Sequence, residues 1–221
     1  MSGELALRAL GLALAICGAY VLALELPPYL SGQQPATNRI IRSANEAPRV
    51  PYSISGQSLL LLDCRHDMWS VAAHVLPTDA RTRLLENCFS LSDGIARASP
   101  TFSMAWLTSA IAAVESGDAA GFSERFVRSR ATAPYETWIA ETRFEVAERY
   151  LSSLNPQAVE QHEADIRMLV TSERGVDSVA QRYVSDYDFR DRVTAIVSTM
   201  SDKDQRRFVR AVERAAGGSL S

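Results

Sequence analysis

Any chemistry this chain performs must draw on three histidines, three cysteines and a few paired carboxylates, so their spacing comes first. Asp63, His66 and Asp67 share one helical face, and His74 lies two turns beyond His66, which sketches a metal site. The two-histidine spacing of a helical zinc motif is absent, and any surface helix needs a polar side. The expectation is therefore a solvated polar face rather than a metal site. Glu136 with Glu141, or Glu145 with Glu148, would suit general acid–base work in a desolvated cleft. Along a helix they alternate with Arg143 and Arg149, the pattern of surface ion pairs worth tenths of a kcal/mol. There is no G-x-S-x-G, Walker loop or Cys–His signature, so no catalytic, cofactor-binding or metal residue is assigned.

The cysteines suggest a covalent link instead. Cys64 and Cys88 stand on either side of the Pro77 turn, thirteen residues before it and eleven after. In an antiparallel helical hairpin they lie at nearly one height, as a disulfide requires. The alternative is two separate buried thiols, which behave as small hydrophobes. A disulfide places the domain in an oxidising compartment such as the periplasm.

Charge excludes one class of partner. The net charge is −3, Lys203 is the single lysine, and no basic footprint argues for nucleic acid. Arg125, Arg128 and Arg130 form a candidate partner-binding cluster, and Arg206, Arg207, Arg210 and Arg214 mark the final helix. Anionic glycan or lipid headgroups suit such clusters, and a solvated basic helix face is the plainer reading. Trp69, Trp106 and Trp138 are expected in the core rather than as sugar platforms.

These residues must be positioned by helices. The chain opens on Leu5 to Leu7, Arg8 and an unbroken apolar or small run from Ala9 to Leu24, roughly 20 residues and enough to span a bilayer. Leu26-Pro27-Pro28 is expected to end that helix, with Tyr29 at the membrane interface. A retained anchor is the reading taken. The alternatives are a signal peptide cut after Val21-Leu22-Ala23 and a lipoprotein signal at Cys17. Arg8 favours an inside N-terminus, whereas Arg39 and Arg42 beyond the helix oppose it. With fewer than ten residues before the span, no cytoplasmic output domain is expected.

The organisation read from the sequence is an anchor at 1–30, a linker at 31–55, a helical domain at 56–216 and a frayed tail at 217–221. The linker is rich in Gln, Pro, Asn, Ser and Gly, without sustained periodicity. The domain shows helical periodicity throughout, divided by caps and breakers into eight or nine helices. They run from about Gln57 to His74, to Ala98, to Ser116, Ala119 to Ala131, Tyr135 to Leu154, Pro156 to Thr171, Gly175 to Val184, Asp188 to Thr199 and Asp202 to Ala216. The fold class is all-α.

From Pro100 to Pro134 the spacing is 34, the period of the tetratricopeptide repeat. Within it Trp106, Gly117 and Phe126 fall at the repeat's tryptophan, turn-glycine and aromatic positions, so the window resembles a tetratricopeptide unit over about 35 residues. Trp138 follows Pro134 by four residues rather than six, which puts the next unit out of register. Ser99-Pro100, Ala105-Trp106-Leu107, Ser129, Ala133 to Ala140 and Arg143 are similar to small membrane-anchored proteins encoded with bacterial exopolysaccharide or O-antigen polymerisation genes. That resemblance carries no catalytic residues. It implies an inner-membrane, single-pass adaptor with a periplasmic helical-repeat domain and a protein partner in polysaccharide polymerisation or export. An envelope glycan-acting enzyme or glycan-binding protein is the rival expectation.

Overall fold

The structure, a computed structural model, describes residues 2–31 and 34–218. The described residues hold helices and turns with no strand, so the chain is all-α, as its periodicity predicts. They form two compact units, Met1–Ala98 and Ser99–Ser221. The division falls at Ser99-Pro100, inside the span that the sequence reading takes as one domain.

The first unit opens with α1, Ser2–Ser31, whose most apolar window has a mean hydropathy of 2.1. Its apolar side chains from Leu5 to Leu22 are exposed, and the helix is long and apolar enough to cross a membrane. It does not end at Leu26. It continues through Pro27 and Pro28 to Ser31, although each proline removes a backbone donor and crowds the preceding turn. Tertiary contacts offset that loss: Pro28 is buried, and Ser31 Oγ donates to Pro28 O at 2.7 Å and to Asp63 Oδ2 at 2.5 Å.

The expected linker carries structure of its own. Ala36–Asn45 forms α2, with Ile40 and Ala44 buried one turn apart. Two side chains of α5, Thr78–Ala98, serve its last carbonyls: Asn87 Nδ2 donates to Ser43 O at 2.8 Å and Arg83 Nε to Ala44 O at 3.3 Å. Ile40 and Ala44 stand four residues apart on one face of this otherwise polar segment, a helical signal masked by its Gln-, Pro- and Asn-rich surroundings. The expected helix from Gln57 to His74 is two, α3 (Ile54–Trp69) and α4 (Val71–His74). Ser70 separates them, its extended backbone and hydroxyl capping α4 through Ala73 N at 3.1 Å. Cys64 and Cys88 are joined as a disulfide between α3 and α5, with Cα atoms 5.7 Å apart.

The second unit follows the expected punctuation closely. Its helices are α6 (Ser103–Glu115), α7 (Ala119–Thr132), α8 (Thr137–Arg149), α9 (Pro156–Thr171), α10 (Gly175–Ser185), α11 (Tyr187–Ser198) and α12 (Asp202–Gly218). A 3-10 turn, Leu151–Ser153, replaces the last turn expected of α8. The expected tail at 217–221 begins inside α12, and its residues from 219 onward lie outside the described residues. α6 and α7 form an antiparallel hairpin, since Ser103 at the start of one bonds Ser129 near the end of the other. Gly117 makes the turn with φ 89°, a conformation costly to any residue with a Cβ, and Asp118 caps α7 through Gly121 N at 2.8 Å.

Trp106 is buried and donates from Nε1 to Pro100 O at 2.8 Å. Phe126 is fully buried, as are Ala110 and Phe122. Pro134 lies in the break between α7 and α8. α8 and α9 pair as a second hairpin, with α7 against α9 and α6 against α8. Ile166, Leu169, Val179, Phe189, Val193 and Phe208, with Phe144 of α8, close a core shared by α8 to α12.

Candidate functional site

Three groups of polar residues stand out, one in the first unit and two in the second. In the first, a cavity of about 280 Å³ opens at the foot of α1, walled by α1, α2 and α3. Its surface is mostly apolar, with Leu24, Pro27, Pro28 and Leu60, and arginines Arg39, Arg42 and Arg49 stand at it. Arg39 is held in place: its Nη2 lies 2.6 Å from Asp67 Oδ1, its Nε donates to the same oxygen at 2.8 Å, and Asp63 stands 3.7 Å away. Asp67 is fully buried, and burial raises its carboxyl above the usual aspartate value while the Arg39 hydrogen bond pulls it down. Asp67 thus departs from the solvated face expected for Asp63, His66 and Asp67. Asp63 accepts from Ser31, and His74 Nδ1 lies 2.8 Å from Ser70 O, so the imagined ligands do not converge. No metal-holding cluster occurs among the described residues.

The second group is a buried ion cluster joining α6, α7, α8 and α9. Arg143 has no exposed side-chain surface and grips Asp165 bidentately, with Nε to Oδ2 at 2.6 Å and Nη2 to Oδ1 at 2.9 Å. Its remaining donors reach Ala133 O at 3.1 Å and, at 3.4 Å, Ser103 Oγ and Ser129 O. Arg130 adds a second cation 3.1 Å from Asp165. The surface role expected for Arg143 is therefore wrong; its five donors serve the interior.

The candidate cluster Arg125, Arg128 and Arg130 is not one cationic patch. Arg130 is drawn to Asp165, Arg125 donates to Gly121 O of its own helix at 3.2 Å, and Arg128 pairs with Glu124 at 2.7 Å. Arg128 also lies over the Trp106 ring, 4.9 Å from its centroid, so of the three it alone is an exposed cation. Trp138, expected in the core, is 52% exposed, in keeping with its shifted register.

The third group is one the residue types alone did not disclose. Glu148, expected at the surface, is buried and binds His162 Nε2 through Oε1 at 2.6 Å and Arg192 Nη2 through Oε2 at 2.6 Å. Phe144 stacks on the imidazole at 5.9 Å between centroids. Glu148, Glu163, His162, Arg167 and Arg192 line a cavity of about 420 Å³ with apolar walls from Leu151, Val159 and Ile196. A buried carboxylate fixing an imidazole is the arrangement that orients a general base, and the buried His162 Nδ1 has no hydrogen-bond partner among the described residues. A sequence signal for these pairs existed: Glu148 and His162 each stand seven residues from Asn155, the hinge of the α8–α9 hairpin. Cys64 and Cys88 stand at nearly equal distances from Pro77, and the same kind of count pairs Glu148 with His162.

No protein family, no curated protein and no solved structure matches this chain.

Proposed function

We propose that this is a single-pass inner-membrane protein whose helical units stand in the periplasm and act as an adaptor. Its partner is a protein of envelope polysaccharide (exopolysaccharide or O-antigen) polymerisation or export, and the second unit is a tetratricopeptide-like stack. The observation that carries the reading is α1, an apolar helix whose side chains from Leu5 to Leu22 are exposed, joined to units with closed cores. Burying that surface in lipid removes it from water, which is the largest available gain. The Cys64–Cys88 disulfide supports the oxidising side. The α6–α7 and α8–α9 hairpins support a stacked-repeat surface, and Tyr135 and Trp138 supply exposed aromatics of the kind that anchor protein partners. Tethering to one bilayer raises the effective concentration of adaptor and partner.

The test is a pull-down of tagged full-length protein from native membranes, with identification of co-purifying proteins, repeated with Y135A/W138A. Recovery of a polysaccharide polymerase or export protein, lost in the variant, is the expected result. A clean preparation of intact protein with no partner above background rejects the adaptor.

The rival, an envelope glycan-acting or glycan-binding protein, draws on the Glu148–His162 cavity and its second carboxylate, Glu163. It predicts release of reducing ends from purified host glycan, abolished by H162N.

A further inference from the structure

Glu25, one residue beyond the apolar run of α1, holds a distant loop. Its Oε1 accepts from Tyr52 N at 2.6 Å and Ser53 N at 2.9 Å, and its other oxygen accepts from Ser53 Oγ. Leu5 to Leu24 rises about 30 Å as a helix, the thickness of a hydrocarbon core. Glu25 therefore stands at the level of lipid headgroups when α1 spans a bilayer, and the loop pinned to it stands there as well. That loop and the first residue of α3 carry Val50, Tyr52 and Ile54, which are 44%, 68% and 69% exposed. Apolar and aromatic side chains at headgroup depth are what an interfacial contact requires.

The cavity at the foot of α1 opens at the same level. Pro27 and Pro28 have no N–H, so the carbonyls of Ala23 and Leu24 in its wall lose their usual helical donors. Arg42 and Arg49 are exposed at its rim, and Arg49 has no protein partner among the described residues. Arg39 is neutralised by Asp67 and Asp63, and Glu46 opposes the remaining two cations. The site thus offers an apolar wall, acceptors for hydroxyl groups and two exposed guanidiniums, Arg49 and Arg42, the latter also donating to Gln34 Oε1.

We propose that this cavity binds the headgroup of an anionic, hydroxyl-bearing phospholipid of the host bilayer, with phosphatidylglycerol as the probe. The phosphate meets Arg42 and Arg49, the headgroup hydroxyls meet the freed carbonyls, and the acyl chains run along α1. Val50, Tyr52 and Ile54 rest in the interface and seat the unit on the membrane. The proposal rests on the membrane reading of α1.

Full-length protein is reconstituted into nanodiscs holding equal phosphatidylglycerol and phosphatidylcholine, and retained lipid is counted by native mass spectrometry. One phosphatidylglycerol per chain is expected, in preference to phosphatidylcholine. The R42Q/R49Q variant, altered only at exposed positions and checked for an intact Cys64–Cys88 disulfide, should retain at least about tenfold less. Equal retention of the two lipids, or unchanged phosphatidylglycerol in the variant, overturns the site while leaving the anchor intact. Displacement of the lipid by millimolar glycerol 3-phosphate points to a soluble phosphate ligand and also overturns it. A chain that never enters the discs rejects the anchor and the site together.

Discussion

Arg143 shows how much one side chain can decide. A buried guanidinium is tolerated only when its donors are matched, and here Asp165, Ala133, Ser103 and Ser129 match them. Asp165→Ala strands the charge and should lower unfolding free energy by about 3–5 kcal/mol, read by urea titration of circular dichroism. R143M/D165L, which removes the fully buried pair and leaves only the part-exposed Arg130 without its counterion, should recover part of that loss. Asp67 makes a prediction of opposite sign from an ordinary salt bridge. Its folded carboxyl titrates above the unfolded value because burial outweighs the Arg39 contact. The folded state then binds more protons in the window just above the ordinary aspartate value, so stability falls as pH rises through it. D67N should flatten that slope in pH-dependent unfolding; an unchanged slope removes Asp67 as its source.

At the scale of elements, boundaries marked by local chemistry were readable. Asn155-Pro156 places the start of α9 where expected, because a side-chain cap and a proline at the first helical position act within one turn. α2 was missed although Ile40 and Ala44 mark one face of it, because the segment is short and polar and its last carbonyls are served by α5 side chains distant in sequence. The same holds for α1 past Pro27 and for the buried places of Asp67 and Glu148. Polar residues look alike on paper whether they face water or a matched partner. The Cys64–Cys88 pairing was legible because hairpin geometry reduces it to counting, and the Asn155 hairpin offered that count for Glu148 and His162. Gly117 gives an element-scale test. G117A forces a Cβ into positive φ at the α6–α7 turn and should lower stability by about 1–2 kcal/mol, seen as a lower thermal midpoint.

For the whole molecule, the question is which parts lie in water, lipid or an oxidising space. Cys17 is a free thiol on the bare surface of α1, whereas Cys64 and Cys88 are buried and bonded. In intact membranes no cysteine should react with a charged maleimide. Detergent should expose Cys17 alone, and reduction with unfolding should expose all three. Labelling of Cys17 in intact vesicles would mean that α1 is not embedded. Removing the disulfide by C64S/C88S should cost the first unit about 2–4 kcal/mol, measured by denaturant titration.

The pairing of Arg143 with Asp165 also sets an order of events during synthesis. A chain emerging from a ribosome presents the arginine before its carboxylate exists, and α6, α7 and α8 are complete while that charge still lacks its counterion. The α6–α7–α8 group therefore stays open, wet and within reach of proteases or chaperones until α9 arrives. A gene truncated anywhere between those two codons yields not a shorter scaffold but a product the cell should clear.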